Sequence, residues 1–403
     1  MKRMNIPLID LKKQYKSIEE ESNKKVIEVL TSANYIMGNH VKSFEKEFSE
    51  FLGVKHSISC GNGTDALVIA LKALNIGKGD EVITSSFTFF ATAESISAVG
   101  ATPVFVDVEK ETFNLDPGKI EEKITERTRA IMPVHIFGQA CKMAEISALA
   151  KKHDLKIIED ACQAVGGEYQ GEMVGSLGDI ACFSFFPTKN LGCAGDGGMI
   201  VTDDDALATI CRGLRTHGSG ETGRNAYNLI HGIEEEEKEE DSEDQTVYNP
   251  LKYYNYLIGH NSRLDELQAA ILREKLPLLD EWNNQRRKNA AEYNQALKGS
   301  SFTTPREDGD MKHVYHMYIL QSEKREEAIL HLKEKGIATG VYYPIPLHLQ
   351  KAYKEMGHQK GDLPVSEYLS ERTFAIPIYA ELEKEEREYI LSALKEFDEK
   401  QNE

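Results

Sequence analysis

Between residues 56 and 202, short apolar runs alternate with segments of helical periodicity, and this alternation restricts the fold more than any other feature of the chain. Residues 56–60, 81–84, 103–107, 130–134, 155–160, 180–186 and 199–201 read as strands. Leu67, Leu71 and Leu74 fall on one face of a helix after the first of them. Residues 92–99 and 144–153 read as further helices. Strands alternating with helices predict an α/β fold, with a mostly parallel sheet flanked by helices. In such sheets ligands bind beyond the carboxyl ends of the strands. That rule singles out Gly63, Asp160 and the segment after Phe186.

From about 218 to 259 the pattern fails. Residues 234–244 carry nine acids and one lysine, a local charge of −8 within a formal net charge of −18. Such a run buries too little apolar surface to order itself, and reads as a solvated loop or flap. Helical character resumes over 262–275 and continues past Pro277 to 297. The last part has its own strand–helix rhythm, with a strand at 314–320 and a helix at 326–335 ended by Gly336. The expected organisation is a large domain over 1–275, with an acidic insertion at about 219–258, and a smaller C-terminal α+β domain over 276–403.

Composition excludes several classes. A surface this acidic argues against nucleic-acid or anionic-membrane partners. The six cysteines form no C-x-x-C pair, and a chain of 403 residues needs no disulfide staples, so reduced cytoplasmic thiols are expected. No His/Cys spacing suggests a metal site. Residues 6–10 are broken by Pro7 and Asp10, so no signal peptide is expected. Nothing approaches the roughly 18 apolar residues of a membrane helix.

Three segments carry potential chemistry. In Cys60-Gly61-Asn62-Gly63-Thr64-Asp65-Ala66, small residues before a helix leave backbone N–H groups open to an anion. The same string fits G-x-G-x-x-A, a weak dinucleotide fingerprint, or a plain turn with a Thr or Asp N-cap. Lys189 lies between an apolar strand and a glycine-rich stretch, Gly192-Cys193-Ala194-Gly195-Asp196-Gly197-Gly198. A desolvated lysine has a lowered pKa and attacks carbonyls as the free amine. Asp160 ends a strand, where it either caps the next segment or serves as counter-ion to a protonated ring nitrogen. Together they offer a phosphate cup, an acid for a pyridinium and a lysine for an aldehyde.

With these motifs in place, the chain resembles the DegT/StrS-type sugar aminotransferases among the fold-type-I pyridoxal-phosphate enzymes. The similarity covers nearly the whole chain. It runs through Ile6-Pro7-Leu8-Ile9-Asp10-Leu11, the family's N-terminal arm, and the turn at Gly61–Leu67. It continues through Ile158-Glu159-Asp160-Ala161-Cys162-Gln163-Ala164 and Phe183-Ser184-Phe185-Phe186-Pro187-Thr188-Lys189-Asn190. Asn261-Ser262-Arg263-Leu264-Asp265-Glu266-Leu267-Gln268 and Tyr343-Pro344-Ile345-Pro346-Leu347-His348 extend it. The resemblance implies a large cofactor-binding domain in which Lys189 holds pyridoxal 5'-phosphate as a Schiff base and shuttles the proton. It further implies Asp160 on the ring nitrogen, Gln163 near the phenolic oxygen and Phe89 stacked on the ring. Gly63, Thr64, Asp65 (through backbone) and Ser184 would bind the phosphate. Asn261 would reach the phosphate of a neighbouring subunit, making a homodimer with shared sites. His316, Tyr318, Tyr343 and His348 are candidates for the substrate side. The implied partners are glutamate, leaving as 2-oxoglutarate, and a keto-sugar, usually nucleotide-linked, of polysaccharide or secondary-metabolite synthesis.

The long segment between Gly218 and Gly259 departs from the family pattern near the sugar site, which leaves a keto-sugar phosphate or keto-cyclitol as alternatives. A sugar dehydratase would carry histidine in place of Lys189. A nicotinamide-dependent sugar-nucleotide enzyme would leave Lys189, Asp160 and Asn261 without roles. A non-catalytic regulatory protein would use the acidic run to bind a partner.

Overall fold

The computed structural model describes residues 3–233 and 253–402. Two helices precede the sheet: α1 (Leu11–Ser32) and α2 (Asn39–Leu52). The alternation follows as β1 (His56–Cys60), α3 (Gly63–Ala73), β2 (Glu81–Ser85), α4 (Ala91–Ala98), β3 (Thr102–Val106), β4 (Thr128–Met132), α5 (Met143–His153) and β5 (Lys156–Asp160). A small hairpin, β6 (Glu168–Tyr169) and β7 (Glu172–Met173), precedes β8 (Ile180–Ser184) and β9 (Gly198–Thr202). Among the described residues, α6 (Asp205–Leu214), α7 (Gly220–His231), α8 (Glu266–Lys275) and α9 (Leu279–Ala296) come next. The chain ends through β10 (Met311–Lys312), β11 (Tyr318–Gln321), α10 (Arg325–Glu334), α11 (Pro364–Arg372), β12 (Thr373–Ile376) and α12 (Lys384–Asn402).

The central sheet has seven strands in the order β1-β9-β8-β5-β4-β2-β3. Strands β8, β5, β4, β2 and β3 are parallel, and β9 runs against both β8 and β1. The mostly parallel α/β sheet expected from the alternation is therefore present. Its register fixes the site. Cys60 and Ser184 both pair with Gly198, and Asp160 pairs with Cys182. Three chain segments thus leave the sheet side by side at one edge.

Both faces of the sheet are covered, which is why its strands are nearly continuous apolar runs. In β8 the side chains alternate with the two-residue strand period. Ile180 and Cys182 enter a core with Leu67 and Leu71 of α3 and Cys211 of α6. Ala181 and Phe183 enter the opposite core with Phe44 and Phe48 of α2 and Leu272 of α8. Phe48 meets Phe183 and Phe185 edge-on at 5.3 and 5.5 Å. A third core joins residues 290–397 and also takes in Ile6, which bridges to Ile337. Ile6 thus packs on the C-terminal part, while Leu8 packs beside Phe87 and Phe137.

Other expectations need correction. Within the stretch from 218 to 259, where the strand–helix pattern fails, Gly220–His231 forms a helix, and Ser219 and Asn255 form a bridge. Here small residues do the packing that large apolar ones usually do: Ala226 and Gly213 meet closely between α7 and α6. The acidic run at 234–244 lies outside the described residues. Helix α8 begins at Glu266, not 262, because Ser262 is engaged with the turn before α3. The strand foreseen at 314–320 begins at Tyr318, because the backbone of Val314 bonds instead to Gly138 and Asn190. No described helix is long and apolar enough to cross a membrane.

Phe48→Ala should cost about 3–5 kcal/mol of stability, the range for deleting a buried phenyl ring beneath a packed sheet. Chemical denaturation measures this, and a loss below about 1 kcal/mol would contradict the packing described.

Candidate active site

Helix α3 starts at the sheet edge with Asn62 as its N-cap, in place of the Thr or Asp cap the sequence allows. The Asn62 side chain accepts the Asp65 amide at 2.8 Å. That leaves the Gly63 and Thr64 amides without partners among the described residues, while the Asp65 amide is taken. The Asp65 carboxylate accepts the Ser262 hydroxyl at 2.6 Å, and Ser262 Oγ accepts the Gly61 amide at 2.9 Å. Gly63 fits where no other residue would, because a Cβ there would lie 2.8 Å from Ser184 Cβ and 3.0 Å from Cys162 Sγ. The open end of a helix, with its partial positive charge, thus faces the ends of β8 and β5.

At the end of β5, two adjacent acids point opposite ways. Glu159 is spent on structure: it bonds His135 Nε2 at 2.9 Å and accepts the amides of Gly175, Leu177 and Gly178. Asp160 is buried but carries no ion pair among the described residues. Its Oδ2 accepts the Thr92 hydroxyl at 2.7 Å, and its Oδ1 the Cys162 amide at 3.3 Å. A buried carboxylate without a cation is costly unless a partner arrives. Nearby, Gln163 Oε1 accepts the Phe137 amide, and its Nε2 donates to Tyr343 Oη at 3.0 Å. Phe89 is 57% exposed, with its ring 6.3 Å from that of Tyr343.

Lys189 sits on a tight loop between β8 and β9. The Cys193 amide bonds the Phe185 carbonyl at 2.9 Å, and the Lys189 amide bonds that of Phe186 at 2.8 Å. Only glycine closes this loop at 192, since a Cβ would fall 2.5 Å from the Pro187 carbonyl oxygen. Asn190 fastens the loop to the C-terminal part through Asn283 Oδ1 (2.7 Å) and the Val314 carbonyl (3.0 Å). Lys189 Nζ has no hydrogen-bond or ion-pair partner among the described residues. Burial pushes its ammonium pKa down, against the opposing pull of Cys162 and Asp160. The electrostatic coupling places Asp160 in its neighbourhood.

The remaining candidates separate. His316 is buried beside Lys189 and Arg286, 3.3 Å from Asn190 Oδ1, and burial holds its pKa well below the usual value. Tyr343 lies on Gln163, as above. Tyr318 stands apart: it is fully buried in the third core, 5.0 Å from Tyr293, with its hydroxyl on Asn294. His348 has both ring nitrogens engaged, with Ser86 Oγ at 2.7 Å and Glu367 Oε1 at 3.1 Å. Asn261 is exposed and bridges Thr216, next to the turn-binding Ser262. Thr92 escapes sequence reasoning, since only the fold brings α4 to Asp160. Asn190 was visible within the lysine motif, but its anchoring role was not.

Comparison with known proteins adds an independent line. The family model of the DegT/DnrJ/EryC1/StrS aminotransferases matches residues 16–395. A pleiotropic regulatory protein of Geobacillus stearothermophilus is 46% identical, over 98% of this chain and 99% of its own. A UDP-N-acetyl-3-dehydro-alpha-D-glucosamine 3-aminotransferase of Acidithiobacillus ferrooxidans is 42% identical, over 97% of each. The crystal structure of S. venezuelae DesV in complex with a ketimine intermediate superposes with a TM-score of 0.89 at 38% identity, covering 98% of this chain and 99% of that one.

The lowered pKa of His316 has a consequence for stability. Above the ordinary histidine pKa of 6.5 both folded and unfolded chains hold it neutral, and its contribution is fully present. As pH falls below 6.5, the unfolded chain takes up the proton first, and stability is lost. His316→Gln should therefore flatten the fall of unfolding free energy below that pH by up to about 1.4 kcal/mol per pH unit. Parallel curves for variant and wild type would contradict the buried neutral imidazole.

Proposed function

The chain belongs to the DegT/DnrJ/EryC1/StrS aminotransferase family, and from that premise we propose that it moves the amino group of glutamate onto a nucleotide-linked keto-sugar, with pyridoxal 5'-phosphate held at Lys189. The membership sets aside the nicotinamide-dependent reading. The carrying observation is one sheet edge that gathers an unpaired lysine amine, an unpaired buried carboxylate and open helix amides.

The residues fit that cofactor on three counts. The Gly63 and Thr64 amides and the Ser184 hydroxyl suit a phosphate. Asp160 lacks a cation, which a protonated ring nitrogen would supply. Lys189 Nζ is free and desolvated, as condensation with an aldehyde requires. When bound, pyridoxal phosphate supplies that aldehyde and a ring that accepts the electron pair released at the amino carbon.

In this reading Lys189 Nζ carries the proton between the amino carbon and the cofactor, its lowered pKa making the free amine accessible. Asp160, fixed by Thr92, keeps the ring nitrogen protonated. Gln163, bonded to Tyr343, would lie near the phenolic oxygen, and Phe89 would offer its exposed ring for stacking. Asn261, exposed at the surface, would reach the phosphate of a second copy, making the working unit a homodimer. Asp65 acts by holding Ser262 through its carboxylate, its own amide being taken by the Asn62 cap. His316 and Tyr343 face the substrate side, whereas Tyr318 and His348 support it from within the fold. The exchange balances without an oxidant: glutamate leaves as 2-oxoglutarate, and the sugar carbonyl becomes an amine.

A nucleotide-linked keto-sugar is favoured by the activity named for the Acidithiobacillus relative. We further propose a cofactor-binding domain over 1–275, a smaller domain over 276–403, and a cytoplasmic location.

Lys189→Ala should lower amino transfer from glutamate by about 10²–10⁴-fold while the fold persists. Asp160→Asn should lower it by about 10²-fold. A panel of keto-sugars, nucleotide-linked, phosphorylated and free, should react in the nucleotide-linked form. Wild-type turnover in the Lys189 variant would overturn the mechanism, and exclusive use of a free or phosphorylated sugar would overturn the substrate class.

A further inference from the structure

We propose that Lys275 is a positioning residue for Lys189, tying the loop that carries Lys189 to the N-terminal helix α1. Lys275 ends α8 and is only 7% exposed. Its Nζ donates to the Gly192 carbonyl at 2.6 Å and to Gln14 Oε1 at 2.9 Å. Gly192 is the residue that closes the Lys189 loop against Pro187. Gln14 is buried in the first turn of α1, and its amide bonds the Asp10 carbonyl at 3.2 Å. Ahead of Asp10, Ile6 is packed into the third core and paired to Ile337. A continuous path therefore runs from the docked N-terminal residues, through Gln14 and Lys275, to the base of the Lys189 loop.

A buried lysine is an expensive way to fill space, since methionine has similar length without a charge to desolvate. Burial pushes this ammonium down to about 8, with Cys193 and Glu381 the groups that face it and oppose the shift. The neutral amine still has two N–H groups, enough for both acceptors. The link therefore depends on donors, not on charge, and holds across that pH. Asn190 ties the loop to Asn283 and Val314, and Lys275 ties it at Gly192. Loss of one grip leaves Lys189 Nζ free to wander by a fraction of an ångström, which lowers the rate of the steps it performs. Binding of the amino donor is little affected, because Lys275 lies beneath the loop.

This inference rests on the reading of Lys189 as the cofactor-bearing amine, and the experiment separates the two. Full-length wild type, Lys275→Met and Gln14→Ala are each mixed with pyridoxal phosphate and reduced with borohydride, and the labelled lysine is identified by peptide mass. Label on wild-type Lys189 supports the reading, and its absence there overturns both. In Lys275→Met, labelling should slow and kcat fall by about 10-fold or more, with KM for glutamate within about twofold; Gln14→Ala should show a smaller change in the same direction. A folded Lys275→Met that labels and turns over like wild type overturns the inference, even if it is less stable. Should Lys275→Met fail to fold, Gln14→Ala decides: unchanged labelling and kcat overturn the coupling, and slowed labelling with lowered kcat supports it.

Discussion

The site depends on one close approach. Without a side chain at Gly63, the start of α3 settles against Ser184 and Cys162; a Cβ would meet them at 2.8 and 3.0 Å. This contact joins three segments that are distant in sequence: the turn after β1, the end of β5 and the end of β8. The sheet order supplies the alignment, since β5 and β8 are parallel neighbours and β1 meets β8 through β9. An alanine at 63 would force the helix end away from β8, and the open amides would lose their place beside Ser184.

Around that contact, buried polar side chains hold the loops. Glu159 pins residues 175–178 and His135, which frees its neighbour Asp160 to face the site. Asn190 and Lys275 hold the Lys189 loop at two points. His348 binds Ser86 on the segment leading to Phe89, and the Leu347 amide bonds the Ser86 carbonyl at 2.8 Å. Each such group is satisfied, so the network adds rigidity without the cost of an unpaired buried polar atom. Lys189 Nζ, by contrast, has no partner among the described residues, and Asp160 is hydrogen-bonded but lacks a cation; local rules are commonly broken at functional sites.

Much of this was legible in the residues. The strand–helix alternation predicted the sheet, because parallel strands buried on both faces must be apolar throughout. The carboxyl-end rule then located Gly63, Asp160 and the Lys189 segment. The hidden parts share a physical cause. Helix α7 escaped because its packing uses glycine and alanine, which carry no hydrophobic period. The placements of Thr92, Tyr318 and His348 follow from tertiary contacts between elements far apart in the chain. A histidine or tyrosine in a family-like motif does not reveal whether its polar atoms are already engaged. Nor does the motif reveal that the Asn62 side chain competes for the Asp65 amide.

The most direct measurement is the visible absorption spectrum of the purified wild-type protein, taken after addition of pyridoxal phosphate and again after glutamate. The account predicts a band characteristic of a lysine-bound pyridoxal that fades when glutamate donates its nitrogen, with 2-oxoglutarate released in equal amount. A protein that never acquires the band, or a band that glutamate leaves unchanged, would contradict it.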